Sequence, residues 1–234
     1  MSNAPLLAAE KVCKDYPAPE GPIAVLRGVD FSMAYGELAF IVGRSGSGKS
    51  TLLHLLGGLD RLTEGRVYFK GRDLSQMNER ELALYRNRRI GFIFQFFHLL
   101  PELTLFENVL LPSLMARSPH PGRVRGLLER VGLRGREGHF PSELSGGEKQ
   151  RAAIARALVN EPEVVFCDEP TGNLDDENAE IVFNLLLALH GERGVSLVIV
   201  THDEARARAF PKVFRLRDGV LVPEGLRGEM SHGT

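Results

Sequence analysis

The octapeptide GRSGSGKS, Gly43–Ser50, follows the apolar run ELAFIV and leads into KSTLLHLL. It fits the pattern G-x-x-x-x-G-K-[ST], a phosphate-binding P-loop. Gly43, Gly46 and Gly48 let the backbone bend tightly around Arg44, Ser45 and Ser47 and turn N–H groups inward. The helix behind them offers its positive N-terminal end. Lys49 supplies a mobile charge for β- and γ-phosphates. The Ser50 hydroxyl suits Mg²⁺, and Thr51 completes the candidate triphosphate site. An accidental glycine turn would need neither the apolar strand before it nor the apolar helix after it.

A second chemical constellation lies in VVFCDEPTGNLD, where an apolar strand ends in Asp168 and Glu169. In a doubly wound sheet such a strand end lies near the P-loop. Asp168 could hold Mg²⁺ through a bound water, and Glu169 could take the proton of an attacking water. A lone acid there would read equally well as a helix cap; two acids with a P-loop upstream do not. His202, in VTHD at the end of the next apolar run, could hydrogen-bond a γ-phosphate or simply cap or pack. Gln95, ending IGFIFQ, is open in the same way: a ligand for Mg²⁺ or the water, or a polar residue where a strand meets solvent.

The third constellation is LSGGEKQ, Leu144–Gln150. Ser145 reads as an N-cap and Glu148, three residues on, completes a capping box. That leaves two consecutive glycines, Gly146 and Gly147, to explain. They make sense where something approaches the backbone closely, and an anion is the natural candidate at a helix N-terminus.

These groups need elements to hold them. Apolar runs predict strands at Leu6–Tyr16, Val25–Met33, Glu37–Gly43, Gly65–Gly71, Ile90–Gln95, Val164–Cys167 and Ser196–Val200. Helical spacing predicts helices from Lys49, over Glu79–Arg86, Glu148–Val159, Glu177–His190 and Asp203–Ala209, and a final hairpin turns at Asp218-Gly219. Strands alternating with helices imply a mostly parallel sheet covered on both faces. From Phe96 to Ser142 the texture changes: five prolines separate the helix-like segments LTLFENVLLPSLMA and RVRGLLERVGL. This stretch, 96–142, reads as a helical subdomain inserted into an α/β core. The whole chain, 1–234, reads as one domain.

Composition narrows the function classes. With 29 basic and 30 acidic residues the net charge is −1, so no large positive field exists to hold nucleic acid, and no nucleic-acid partner is expected. The local cluster Arg86, Arg88 and Arg89 reads as solvated surface. Cys13 and Cys167, both in apolar runs, read as small buried hydrophobes in a reducing compartment. Neither a signal peptide nor an apolar run of about 18 residues is recognisable, which points to a cytoplasmic protein that meets any membrane through a partner.

Taken in order, Gly43–Ser50, Gln95, LSGGEKQR, VVFCDEP, GNLD and the TH of His202 resemble the ATP-binding cassette (ABC) ATPases over nearly the whole chain. The resemblance implies an α/β P-loop NTPase core with a mostly parallel sheet, an antiparallel β-subdomain and an inserted α-helical subdomain. It implies ATP and Mg²⁺ as cofactors and a head-to-tail homodimer in which each ATP lies between one copy's P-loop and the other's LSGG loop. The second glycine loop would then serve the partner's nucleotide. It also assigns Tyr16 to stacking on adenine, which from its position is only an aromatic at a strand end, and Asp175 to contact with the opposite subunit. STLLHLLGGLD, GFIFQFFHLLPELTLFENVLLP and PSELSGGEKQRAAIARALVN resemble more closely the LolD-type ATPases of lipoprotein-releasing complexes, a group near the MacB efflux and FtsE cell-division ATPases. Phe97 and Cys167 depart from that pattern, which has His and Ala there. What this implies is a transport motor, peripheral on the cytoplasmic face of the inner membrane, with integral membrane permease subunits as partners and Phe96, Phe97, Leu99 and Leu100 as a contact surface. The alternatives are a MacB-like or FtsE-like motor, a soluble ABC ATPase acting on nucleic acid, which lacks its usual coiled coil or second ATPase domain here, and a P-loop kinase, which would leave Ser145–Gly147 without a task.

Overall fold

The computed structural model describes residues 5–224; residues 1–4 and 225–234 of the expected single domain lie outside the described residues. In chain order the elements are β1 (Leu7–Tyr16), β2 (Ile23–Met33), β3 (Leu38–Val42), α1 (Lys49–Leu56), β4 (Glu64–Phe69), β5 (Arg72–Asp73), α2 (Glu79–Arg89), β6 (Ile90–Ile93), α3 (Leu105–Met115), α4 (Pro121–Arg130), α5 (Gly146–Leu158), β7 (Val164–Asp168), α6 (Asp176–Arg193), β8 (Ser196–Thr201), α7 (Glu204–Ala207), β9 (Val213–Arg217) and β10 (Val220–Glu224).

Two sheets organise them. A six-stranded sheet runs β10-β9-β3-β8-β7-β6, parallel except for β10, and a four-stranded antiparallel sheet runs β2-β1-β4-β5. The central strands β3, β7 and β8 are buried on both faces, so their interiors are apolar, as such strands must be, while β9 at the flank carries Arg215 and Arg217. Their side chains still alternate. Ala39 and Ile41 of β3 join Val164 and Phe166 of β7 in one core, with α1, α2 and the antiparallel sheet. Phe40 and Val42 join Val165 and Cys167 in a second core, with α3, α4, α5 and α6. The P-loop, the end of β7 and the end of β8 therefore emerge side by side at one edge of a sheet clamped between two cores.

The segment between β6 and α5 carries α3 and α4. Thr104 caps α3 with Glu107, and Pro112 sits inside it. Asn108, 1% exposed, knits the preceding loop by bonding Leu100 N and the carbonyls of Leu100, Leu103 and Thr104.

Several expectations shift. β2 begins at Ile23, β6 ends at Ile93 so that Gln95 lies beyond the strand, and α6 continues to Arg193. Cys167 is buried but Cys13 is only half-buried; its Sγ accepts from Gly28 N, a small polar contact between β1 and the edge strand β2. The arginine cluster is not simply solvated surface: Arg86 donates to Gly58 O, Arg88 to Ala116 O, and Arg89 pairs with Glu163. The final hairpin turns where expected, with Asp218 and Gly219 both at positive φ.

Candidate active site

The loop before α1 is built by steric exclusion. A Cβ on Gly43 would lie 2.5 Å from the Leu216 carbonyl, and one on Gly48, at φ +98°, would lie 2.9 Å from Val25 Cγ1. Only glycine lets this loop press against β9 and β2 while turning its amides inward. The N-cap of α1 is Gly48, with no side-chain cap and no acidic residue in the first turn. The orphan N–H groups and the dipole are thus left for an external anion.

These amides face a cavity of about 630 Å³, lined by Val25, Ser45, Gly46, Gly48, Lys49, Ser50, Thr51, Gln95, Glu169 and His202. Lys49 is 7% exposed; its Nζ donates to Gly43 O at 3.0 Å and Arg44 O at 3.1 Å and lies 3.6 Å from Glu169 Oε1. The ammonium is therefore held over the loop, free to turn toward phosphate. Arg44 is exposed beside the loop, and Ser47 Oγ is buried without a partner, a donor aimed at nothing in the chain.

Ser50 Oγ donates to Asp168 Oδ1 at 3.0 Å, joining the loop to the end of β7. Burial raises the Asp168 carboxyl above its usual range and the neighbouring Glu169 charge adds to this, while Ser50, His54 and Lys49 pull the other way. Among the described residues no group of three or more His, Cys, Asp or Glu could cage a metal. The Ser50 hydroxyl and the Gln95 amide on the cavity wall, and the Asp168 carboxylate bonded to Ser50 but outside the lining, are hard oxygen donors. They suit Mg²⁺ shared with phosphates, which needs only one or two protein ligands, so the residues fit the ion.

Glu169 has φ +46°, a left-handed conformation uncommon for this residue type. Its N–H donates to Val200 O, and its Oε2 lies 2.9 Å from His202 Nδ1 and accepts from His202 N at 3.2 Å. The carboxylate, 15% exposed, is thus clasped between Lys49 and His202 at the cavity wall. Gln95 Nε2 donates to Asn173 Oδ1, and Asn173 Nδ2 returns a bond to Gln95 O.

Tyr16 does not line this cavity; it stands 36% exposed at the end of β1, its hydroxyl on Asp60. Ser145, Gly146 and Gly147 are also absent from the lining. The capping box forms, with Glu148 N donating to Ser145 Oγ and Ser145 N to Glu148 Oε2. The two glycines differ. A Cβ on Gly146 would meet only Leu174, at 3.6 Å, whereas one on Gly147 would strike Asn178 Oδ1 at 2.0 Å. Packing within the chain accounts for Gly147, and Gly146 is the open one. Asp175 caps α6 and binds both N and Nδ2 of Asn178.

Two supporting residues escaped the sequence reading. Asn173 stands within GNLD, but nothing there signals its reciprocal bond with Gln95. Gln150, fully buried, ties α5 to the carbonyls of Phe94 and Pro170, the neighbours of Gln95 and Glu169. Its place in a helix face was legible; its two distant acceptors were not.

The comparisons agree with this geometry. The ABC transporter family pattern matches residues 26–172. The lipoprotein-releasing system ATP-binding protein LolD of Xanthomonas campestris pv. campestris is 51% identical over 222 residues, covering 94% of this chain and 93% of that protein. The protein of the same name from Idiomarina loihiensis is 46% identical, covering 94% and 97%. The ATP-binding cassette MJ0796, solved as a dimer in a post-hydrolysis state bound to ADP and Pi, superposes with a TM-score of 0.87 at 39% identity, over 95% of this chain and all of that one. A further dimeric structure of MJ0796, described as a bacterial ABC transporter cassette, matches equally well. With a P-loop, an acid-ended β7 and a signature loop on an ABC cassette fold, the chain belongs to the ABC transporter family, as its ATP-hydrolysing subunit.

Proposed function

We propose that this chain is the motor of a lipoprotein-releasing transporter, working as a pair of copies that close on ATP and reopen after hydrolysis. Residues 43–51 bind the triphosphate through loop amides, Lys49, Ser50 and Thr51. Ser50, Asp168 and Gln95 hold Mg²⁺, which offsets phosphate charge when bound with the nucleotide. Glu169 accepts the proton of the attacking water, His202 orients Glu169 and contacts the γ-phosphate, and Tyr16 stacks on the base. Ser145, Gly146 and Gly147 of a twin copy close the chamber, with Asp175 near the seam.

The observation that carries this reading is the separation of the two glycine loops. The P-loop cavity is lined without any of Ser145–Gly147, although that loop keeps an exposed Ser145 and an open Gly146 at a helix N-terminus. On this reading a single chain holds two half-sites rather than one whole site.

The helical segment 96–142 would pass the closing motion to integral membrane subunits on the cytoplasmic face of the inner membrane. No helix among the described residues is long and apolar enough to cross a membrane. Phe96 at 67% and Leu100 at 42% are exposed and available for docking, and Leu114 and Met115 of α3 are exposed too; Leu99 packs into the second core and Phe97 is half-buried. Lipoprotein as cargo rests on the relatives' similarity over nearly their whole length.

Turnover against protein concentration tests the pairing. The expected rate rises more than linearly at low concentration; strict proportionality from an unpaired chain would end the two-copy reading. Purification from membranes tests the partner, with a polytopic protein expected to co-purify through the segment 96–142.

A further inference from the structure

Lys14 is 9% exposed, one of few charged side chains the fold buries, and nothing described above uses it. It stands on β1 two residues before Tyr16. Its Nζ donates to Asp60 Oδ1 at 3.0 Å and to Arg61 O at 2.6 Å, and lies 4.6 Å from the centroid of the Tyr16 ring. The Tyr16 hydroxyl donates to the other oxygen, Asp60 Oδ2, at 2.8 Å. One carboxylate thus holds both the phenol and the cation that covers one face of the phenol's ring. Lysines are almost never buried unless paired, and this pair converges on a single half-exposed aromatic.

Asp60 owes its place to the exit turn of α1. Leu59 N and Asp60 N both donate to His54 O, at 2.8 and 3.3 Å, after Gly58 takes a positive φ. The chain therefore folds back along the helix, and Asp60 comes level with its second turn. The ring is tied to the body whose N-terminal amides face the phosphate cavity, although Tyr16 itself belongs to the antiparallel sheet.

We propose that Lys14 and Asp60 are positioning residues for the nucleotide base: they fix the Tyr16 ring so that its uncovered face receives a stacked aromatic base at a set distance from the phosphate loop. This rests on the reading of Tyr16 as the base platform. A ring held before binding loses less freedom on binding, and the difference appears as affinity. The cation on the covered face holds the ring by attraction to its π-cloud. Burial raises the phenol of Tyr16 and the Asp60 contact adds to this; burial pushes the Asp60 carboxyl up, but bonds from Lys14, Tyr16 and Arg61 N outweigh it and hold it below its usual value. Donor and acceptor therefore keep their roles across the neutral range.

The test compares ATP with inorganic tripolyphosphate, which has no base, as ligands of the full chain with Mg²⁺. Tyr16→Ala should weaken ATP about 5- to 100-fold, the scale of one lost stacking contact. Tyr16→Phe, Asp60→Asn and Lys14→Met, which keep a ring and remove its ties, should each weaken ATP roughly 3- to 10-fold, the scale of one hydrogen bond or cation–π contact. Tripolyphosphate affinity should stay within about twofold in all four, and the Tyr16→Phe, Asp60→Asn double variant should be no worse than the weaker single, as residues acting through one another require. If Tyr16→Ala weakens ATP while the three milder variants do not, the positioning role is wrong and the base platform stands. If Tyr16→Ala changes nothing, the platform falls and the positioning role with it. Equal loss of both ligands would show that Lys14 and Asp60 only maintain the shape of α1, which also overturns the proposal.

Discussion

The two glycine-bearing helix starts, before α1 and at α5, look alike in sequence and are unlike in the structure. At α1 the cap is Gly48, no side chain covers the free amides, and the first turn has no acid. At α5 the cap is Ser145, backed by Glu148, so two amides are already satisfied from within. Gly43 and Gly48 of the first loop are there because β9 and β2 crowd them, and Gly46 because its φ is +77°. At the second, Gly147 is required by Asn178 and only Gly146 faces open space. The first end is open toward its own cavity. The second is self-supporting, with Ser145 Oγ accepting from Glu148 N–H and Glu148 Oε2 accepting from Ser145 N–H. On the proposed two-copy reading, a loop that must hold its shape before a ligand arrives on another copy needs that internal support; a loop that wraps its own ligand does not.

The most severe way to probe the contrast is Glu169→Gln, on the wall of the first site. If Glu169 takes the water's proton, hydrolysis should fall about 10²- to 10⁴-fold while ATP still binds, and an ATP-bound dimer should accumulate on size-exclusion chromatography. Near-normal turnover would remove Glu169 from that role. Ser145→Arg attacks the second site instead. The arginine's bulk, forced between the loop and the twin's cavity, should hold the pair apart and lower steady-state hydrolysis by roughly tenfold or more. The isolated chain's ATP affinity should stay unchanged by titration calorimetry, because Ser145 does not line its own cavity. Loss of affinity in the isolated chain would mean that both glycine loops serve one nucleotide.

Local patterns made much of this legible. The P-loop, the acids at the end of β7 and the capping box of α5 are written within eight residues each, and each formed. Unbroken apolar runs gave the parallel strands, though not which core each side chain enters; that needs the pairing order of the sheet. What stayed hidden depends on long-range contacts. Gly147 meets Asn178 across α5 and α6, Lys14 meets Asp60 across two sheets' worth of chain, and Gln150 reaches Phe94 and Pro170. The positive φ of Glu169 has no signature either, since the pattern marks the acid and not the bend that aims it.

Gly147→Ala and Gly146→Ala separate the neighbouring glycines by stability. The added methyl at 147 must displace Asn178, whose Nδ2 is pinned by both oxygens of Asp175. Overpacking of this kind costs about 1–3 kcal/mol, or roughly 3–10 °C in Tm for a chain of this size. Adding Asn178→Ala should recover most of the loss, because the two substitutions share one contact. Gly146→Ala, with only a 3.6 Å contact and no positive φ, should leave Tm within about 1 °C and weaken pairing instead. Equal Tm losses at both positions would erase the distinction between them.

The smallest effect is a pH dependence that one helix start has and the other lacks. The bond from Ser145 N holds the Glu148 carboxyl below its usual range; burial opposes this, and Ser145 Oγ, Arg136 and Arg151 reinforce it. A carboxyl lowered on folding contributes stability that is complete above its unfolded pKa of about 4.3 and is lost as pH falls through the lower folded value. Glu148→Gln keeps a residue able to close a capping box but cannot titrate. It should therefore lower Tm by about 1–3 °C near pH 7, and the difference should shrink as pH falls through the lowered folded value and Glu148 becomes protonated. The difference between wild type and variant, followed by thermal denaturation from pH 7 to pH 3, isolates this group from the other carboxylates. At α1 no first-turn acid exists to produce such a curve. A constant difference across the range would mean that Glu148 acts through shape alone, and the internal support of the second loop would then owe nothing to charge.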